Sequence, residues 1–298
     1  MNILVIGSKG FIGTHCLNFF EQKGAVVYGC DVVVDYTSKH YFLIDATNAD
    51  FKEIFEKHSF DICINCSGAS SVAESIQNPR RDFELNTMNV FKLLDAIRQF
   101  SPDCKFVQIS SAAVYGNPVQ LPVKETNELA PISPYGWHKL YSEQLCSEFV
   151  TLYNNKVAIV RPFSVYGAGL KKQLFWDVYQ KIKKNIPFQL YGTGRETRDF
   201  MHVSDLLHLI ELIIEKGAFN GEVYNAANGN AISISEVVGL FASLFNCEIK
   251  YTFGNQIKEG DPLYWQADVK KIQSLNYVPK KTIEEGLKEY LEWVEENA

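Results

Sequence analysis

No apolar run in the 298-residue sequence approaches the roughly 20 residues that a membrane-spanning helix needs. A basic leader is missing as well: the short apolar run of MNILVIGSKG ends at glycine and reads as a strand, not a signal peptide. Cysteine is sparse, at 7 residues, and the number is odd. Cys30, Cys63 and Cys66 lie in apolar segments, which reads as reduced, buried thiols in a cytoplasmic protein. Positive charge is in deficit: 29 Lys and Arg face 35 Asp and Glu, for a net charge of −6. That lacks the electrostatic footprint of a nucleic-acid binder, so neither nucleic acid nor membrane is expected as a partner. Repeats, linkers and low-complexity segments are also absent.

What is present is a hydrophobic fraction of 46% and a charged fraction of 21%, enough for a real core in one large or two smaller domains. Apolar, β-branched runs occur at Asn2–Ile6, Ala25–Gly29, Tyr41–Ile44, Asp61–Asn65, Lys105–Ile109 and Val157–Arg161. Helix-period segments lie between several of them, at Gly13–Gln22, Phe51–His58, Phe83–Gln99 and Pro134–Tyr153. Strands buried on both faces read as continuous apolar runs, and their alternation with helices implies an α/β fold with a parallel, doubly wound sheet. After Arg161 the rhythm changes: Gly, Pro and aromatics become frequent, and one further strand is expected at Glu222–Ala226. Residues 1–164 and about 203–229 are expected to form a Rossmann dinucleotide-binding domain. Residues of about 165–202 and 230–298 are expected to form a smaller mixed α/β part that binds substrate.

The first strand runs into Gly7-Ser8-Lys9-Gly10-Phe11-Ile12-Gly13, a G-x-x-G-x-x-G variant of the dinucleotide fingerprint. Such glycines permit a tight turn and close approach of backbone N–H groups to a pyrophosphate. Asp31 follows 18 residues after Gly13, at the end of the second strand. An acid there accepts ribose hydroxyls and repels a 2′-phosphate; with no Lys or Arg following until Lys39, NAD is favoured over NADP. Asp45 and Ala46, at the end of the third strand, are positioned to bracket the adenine, although an aspartate there also serves as a turn residue.

Tyr135 and Lys139 are one helical turn apart and share a face. A phenol has a pKa of about 10, and a nearby ammonium favours its ionised form, so the pair suits proton transfer. Ser110 and Ser111 follow the apolar strand Lys105–Ile109, at the end of the sheet where ligands bind.

Together these features resemble the extended short-chain dehydrogenase/reductases, and among them the UDP-galactose 4-epimerase-like nucleotide-sugar enzymes. The resemblance runs through the chain in order: GSKGFIG, Asp31, CSGASS, Asn86 in FELNTMNVF, SSAAVYG, SPYGWHK, RPFSVYG, TRDFMHVSDL, VYNAANG and EGDPLYW. It implies Ser111 as the catalytic serine, Tyr135 as the base, and Lys139 as the lysine that tunes the tyrosine and holds the cofactor ribose. It places Phe11, Ile12, Ser67, Gly68, Ala69, Asn86, Ser110 and Pro162 at the cofactor. It places Ser70, Ser111, Ala112, Ser164, Arg198, Lys258, Asp261 and Trp265 at the nucleotide sugar. Arg198 suits the diphosphate, because a guanidinium binds phosphate through two donors. Trp265 either fills the space of a 2-acetamido group or turns into the core.

Departures from the family pattern narrow the reaction. Dehydratases of this kind carry an Asp-Glu pair where this chain has Ala112-Ala113, so no acid is there to expel a 6-hydroxyl. Related decarboxylases carry a glutamate at the second of these positions, and it too is missing. Ser164 stands where epimerases usually have Asn, and Lys258 where they usually have Arg, which leaves the nucleotide base open. The resemblance thus implies an NAD-dependent 4-epimerase acting on a nucleotide-activated hexose through a 4-keto intermediate. The alternatives are an NAD(P)H-dependent 4-keto-deoxysugar nucleotide reductase and, from another class, a non-catalytic NAD-binding scaffold. A homodimer through Phe83–Gln99 and Pro134–Tyr153 is also implied, with Phe91, Leu94, Leu140 and Leu145 serving that face or the core. Cys63-x-x-Cys66 has no second pair, and no metal is expected. Thr282–Glu296 reads as an acidic amphipathic helix at the surface.

Overall fold

The computed structural model describes residues 1–245, 248–256 and 259–297. The strands are β1 (Asn2–Ile6), β2 (Val26–Asp31), β3 (Tyr41–Leu43), β4 (Ile62–Asn65), β5 (Lys105–Ile109) and β6 (Lys156–Pro162). Then come β7 (Ser164–Tyr166), β8 (Phe188–Leu190), β9 (Thr197–His202), β10 (Asn220–Ala226), β11 (Ala231–Ser233) and β12 (Tyr251–Phe253). The helices begin with α1 (Phe11–Gln22), α2 (Lys52–Lys57), α3 (Val72–Gln77), α4 (Pro79–Phe83), α5 (Asn89–Phe100) and α6 (Pro134–Tyr153). They continue with α7 (Gln173–Lys183), α8 (Val203–Lys216), α9 (Ile234–Ala242), α10 (Lys270–Ser274) and α11 (Ile283–Asn297).

Seven strands form one sheet in the order β10-β6-β5-β4-β1-β2-β3, and every pairing in it is parallel. Chain order reverses between β1 and β4, which opens a crevice at their carboxyl ends. Alternate residues of one strand serve opposite cores: Val107 packs in one cluster with Leu206 and Ile210, while Phe106 packs in the other with Leu93 and Phe149. Two-sided burial is why these strands read as unbroken apolar runs. The expected strands are β1–β6 and β10, within two residues at each end.

Two smaller sheets carry the rest. One has the order β11-β9-β7 and mixes parallel and antiparallel pairs; the other joins β12 to β8. They share a third core with α7, α9 and α11, built around Tyr179, Phe241, Leu287 and Tyr290. Helix α8 packs deeply, with nine of its 14 residues buried. Helix α6 spans the residues its sequence marks out. Ser133 caps it by accepting from Gly136 N at 3.2 Å, Pro134 occupies the first turn, and Asn154 ends it in the left-handed region at φ 60°.

The expected helix Phe83–Gln99 is interrupted. A π-turn over Glu84–Met88 separates α4 from α5. The extra residue in that turn displaces Asn86 from the helical repeat and buries it beneath the sheet's carboxyl edge.

Candidate active site

The turn after β1 cannot accept a side chain at two of its glycines. Gly7 has φ +75°, and a Cβ on Gly13 would fall 2.0 Å from the Gly7 carbonyl oxygen. Gly10 caps α1 without a side-chain acceptor, and the first turn carries no acid, so backbone N–H groups face the crevice unpaired. A cavity of about 940 Å³ opens there. Its wall brings together Gly7, Gly10, Asp31, Asp45, Ala46, Ser67 and Gly68. Asn78, Arg80, Arg81 and Lys92 close its far side, and no sequence motif had drawn them to this site.

Asp31 accepts from Lys9 N at 2.8 Å on one oxygen and from Val32 N at 2.7 Å on the other. The second oxygen also accepts from Val33 N at 3.4 Å, while the first keeps a lone pair that suits a ribose hydroxyl. Asp45 is exposed and accepts from Thr47 N at 2.6 Å, so it is a turn residue as well as part of the wall. The Ser67 hydroxyl donates to Asn65 Oδ1 at 2.6 Å and contributes to the cavity from that fixed position.

Asn86 is 1% exposed, and neither amide atom has a hydrogen-bond partner. A buried amide with no partner costs free energy unless a ligand satisfies it. Asn86 Oδ1 and Lys139 Nζ flank Gly68, where an added Cβ would lie 2.3 and 3.5 Å from them. The open amide, the glycine cradle and the free helix N-terminus together fit a dinucleotide.

Tyr135 and Lys139 project from the first turns of α6 toward the same edge. Lys139 is 5% exposed, its ammonium donates to the Ile109 carbonyl at 3.1 Å, and it lies 6.0 Å from the Tyr135 ring centroid. Burial pushes its pKa down to about 8. The Tyr135 phenol is pushed up to about 12, because burial outweighs the Ser111 hydroxyl hydrogen-bonded to it. Ser111 begins a 3₁₀ turn over Ala112–Tyr115 and caps it by accepting from Ala113 N at 3.1 Å. The groups that shift the tyrosine are its burial, Ser111 and Asp82, and not Lys139 as the simple reading of the Y-x-x-x-K motif has it. Both groups are shifted toward their neutral forms.

Several expected contacts fall elsewhere. Ser110 is 3% exposed and donates to Glu143 Oε1 at 2.5 Å, so its hydroxyl serves a buried network and not the cofactor crevice. Pro162 and Ala112 are buried beneath the site. Ala69 is half-buried beside Gly68, and Phe11 and Ile12 open α1, where Phe11 packs edge-on against His15. Trp265 is 7% exposed, its indole N–H donates to the Gly116 carbonyl at 3.1 Å, and its ring meets Phe163 edge-on. It therefore belongs to a core cluster, which removes the expectation that it fills an acetamido space. Ser70 accepts from the ammonium of Lys172, a reach from the smaller part that the sequence did not signal.

Arg198, Asp261 and Trp265 lie near one another. Arg198 donates to the Thr197 carbonyl at 2.9 Å, its guanidinium lies 5.7 Å from the Trp265 ring centroid, and Asp261 acts on it electrostatically. Gly260 lies against Val72 and Ser133, which brings Asp261 beside the start of α6. Ser164 opens β7 opposite Phe200. Lys258 lies outside the described residues. Cys63 is buried in β4, whereas Cys66 reaches the cavity wall and lies 3.9 Å from Cys16, sulfur to sulfur.

Fold and site define a dinucleotide-binding enzyme of the Rossmann type. The chain belongs to the NAD dependent epimerase/dehydratase family, whose pattern matches residues 3–227. It is similar to the UDP-glucuronate 4-epimerase of Thermodesulfobacterium geofontis, at 29% identity over 314 residues, covering 99% of this chain and 96% of that one. A crystal structure of UDP-glucuronic acid 4-epimerase from Bacillus cereus, with UDP-glucuronic acid and NAD, matches with a TM-score of 0.91 at 25% identity over 100% of both chains. UDP-glucose 4-epimerase of Thermotoga maritima, with UDP-glucose, matches with a TM-score of 0.88 at 26% identity over 99% of each. Among the described residues, no helix is long and apolar enough to cross a membrane.

Proposed function

We propose that this chain interconverts nucleotide-activated hexoses that differ at C4, with NAD as its bound cofactor. The observation that carries this reading is the convergence of Ser111, Tyr135 and Lys139 at the carboxyl edge of the sheet, beside the open amide of Asn86. Gly7, Gly10, Asp31, Gly68 and Asn86 hold the cofactor, which supplies reversible hydride acceptance at C4. Tyr135 Oη takes the proton of the 4-hydroxyl and returns it to the same oxygen, while the inversion at C4 comes from hydride returning to the other face of the ketone. Ser111 Oγ hydrogen-bonds the same sugar oxygen and fixes its distance to the phenol. Lys139 holds a ribose hydroxyl and supplies the positive charge that a phenol at about 12 needs to ionise near neutral pH. Ala112 and Ala113 provide no acid for eliminating a 6-hydroxyl, so hydride and proton transfer are the whole chemistry.

The relatives' UDP-sugars support uridine diphosphate as the carrier, with Arg198 and Ser164 at its phosphates. We read residues 1–164 and about 203–229 as the cofactor-binding part, a division supported by the large sheet, which draws all its strands from them. The remainder binds the nucleotide sugar. A homodimer is proposed through α5 and α6. Leu94 and Leu140 are buried in the core, while Phe91, Trp137 and Tyr141 are 38–43% exposed along those helices. A monomer mass in light scattering at micromolar concentration overturns the dimer. A cytoplasmic location is supported by six free cysteines among the described residues.

The test is incubation with a panel of UDP-hexoses and no added cofactor. A C4 epimer should accumulate to equilibrium while bound NAD is regenerated. Reduction of a UDP-4-keto-6-deoxyhexose with stoichiometric consumption of NADH, and no epimer from the UDP-hexoses, instead indicates the 4-keto-sugar reductase. No turnover despite bound NAD indicates a scaffold.

A further inference from the structure

Selection between NAD and NADP depends on whether a cation stands near the adenosine ribose. By sequence none follows Asp31 until Lys39, but the fold supplies one from before it. Lys9 lies within the glycine turn, and its backbone N–H donates to Asp31 Oδ2 at 2.8 Å. Its side chain runs over the Tyr41 ring, 5.2 Å from the centroid, and its ammonium pairs with Asp35. Asp35 is the better enclosed partner, with a side chain 6% exposed against 30% for Lys9. One Asp35 oxygen accepts from Thr37 N and Thr37 Oγ1, both at 2.7 Å. The other accepts from Ser38 Oγ at 2.6 Å and from Lys9. Lys9 together with these donors holds the Asp35 carboxyl well below the usual carboxylate range.

We propose that Asp35 is a determinant of NAD selectivity, acting by occupying the one lysine that the glycine turn offers to a 2′-phosphate. The inference deepens the dinucleotide reading of the site and rests on it. A 2′-phosphate brings about −1.5 to −2 charges next to Asp31. Recognising it requires a free cation with a donor to spare. Lys9 stands at the right place, but Asp31, Lys9 and Asp35 together carry a net charge of −1. With Asp35 neutral the trio carries none, and the ammonium is released toward the crevice. Asp31 still repels the phosphate, so the change narrows the preference for NAD without reversing it. NAD itself has nothing at the 2′ position that needs Lys9, so its binding is left alone.

The variant is Asp35→Asn, which removes the charge and keeps an oxygen to accept from Thr37 and Ser38. The full chain, freed of bound nucleotide, is titrated calorimetrically with NAD and with NADP. Affinity for NADP should rise about tenfold, the worth of one charge-assisted hydrogen bond, while affinity for NAD stays within about twofold. Adding Lys9→Ala to Asp35→Asn should return NADP affinity to the wild-type value, and raising the salt concentration should shrink the gain. The proposal is overturned by unchanged NADP affinity in Asp35→Asn, or by a gain that survives Lys9→Ala. Equal weakening of both cofactors also overturns it, since that assigns Asp35 to loop shape alone. Wild-type protein that fails to bind NAD overturns the dinucleotide reading, and this inference with it. That control separates the two failures.

Discussion

The Arg161 guanidinium grips the Glu143 carboxylate through two hydrogen bonds, Nε to Oε1 at 2.9 Å and Nη2 to Oε2 at 2.6 Å. Both side chains are at most 5% exposed. Glu143 sits one turn beyond Lys139 on α6, and Arg161 near the end of β6, so the pair ties the catalytic helix to the sheet. Ser110 donates to the same carboxylate, while Arg161 also reaches Tyr115 Oη at 2.7 Å. Breaking one partner leaves an uncompensated buried charge, which costs about 3–5 kcal/mol. Arg161→Met should therefore lower stability in urea titration by that amount. Glu143→Leu in the same background should restore much of it. Equal stability of Arg161→Met and wild type rejects the pair as a stabilising tie.

Lys139 is expected to cost the fold stability that its function requires. Its folded pKa is about 8 against an ordinary 10.5. Between those values the unfolded chain keeps a proton that the folded chain has lost, so wild-type stability rises with pH across that window. Below about 8 the penalty for the buried ammonium is complete. Lys139→Met removes it, so the variant should melt about 2–4 °C higher at pH 7 and be inactive. The difference in Tm should narrow toward pH 10. A gap that widens with pH contradicts the assigned shift.

Much of this is legible in the sequence. Continuous apolar runs located the large sheet because its strands are buried on both faces, and 3.6-residue periods located helices that have one apolar face. The glycine turn, Asp31 and the Tyr135/Lys139 spacing were legible because their chemistry depends on local geometry. What stayed hidden depends on long-range packing. The π-turn at Asn86 has no sequence signal of its own, and nothing in the order of residues links Lys9 to Asp35 or Lys172 to Ser70. The turn of Ser110 toward Glu143 is fixed by Arg161, some 50 residues later. No Lys or Arg follows Asp31 until Lys39, whereas the fold brings Lys9 to it from upstream.

Tyr135→Phe keeps the ring and removes the proton acceptor. Turnover should fall by at least about 10²-fold, the usual scale for a positioned acid or base, while NAD remains bound. Ser111→Ala should cost less, since it removes one hydrogen bond. Near-normal epimerisation by Tyr135→Phe would show that another group moves the proton.

Asn86 has no partner within the protein, so its amide should matter to the ligand and not to the fold. Asn86→Ala is expected to weaken NAD about tenfold, as one lost hydrogen bond in a buried site does. Its melting temperature in the absence of nucleotide should stay within about 2 °C of wild type. A large loss of stability with unchanged NAD affinity would make Asn86 a structural residue of the π-turn.

Trp265 is expected to act on substrate through Arg198. The indole is anchored by its N–H to the Gly116 carbonyl and by Phe163, and its face meets the Arg198 guanidinium. Arg198 is half-buried and Asp261 acts on it electrostatically, so the indole face is one of the contacts that set its position. Trp265→Phe preserves an aromatic core residue but removes the N–H bond and half of the platform. KM for the nucleotide sugar should rise about tenfold with kcat little changed, because the diphosphate is held in ground and transition states alike. The ratio of kcat/KM for matched hexose and N-acetylhexosamine nucleotides should not move. A shift of that ratio toward the acetamido sugar, with KM for the hexose unchanged, would mean that the indole lines the sugar pocket after all.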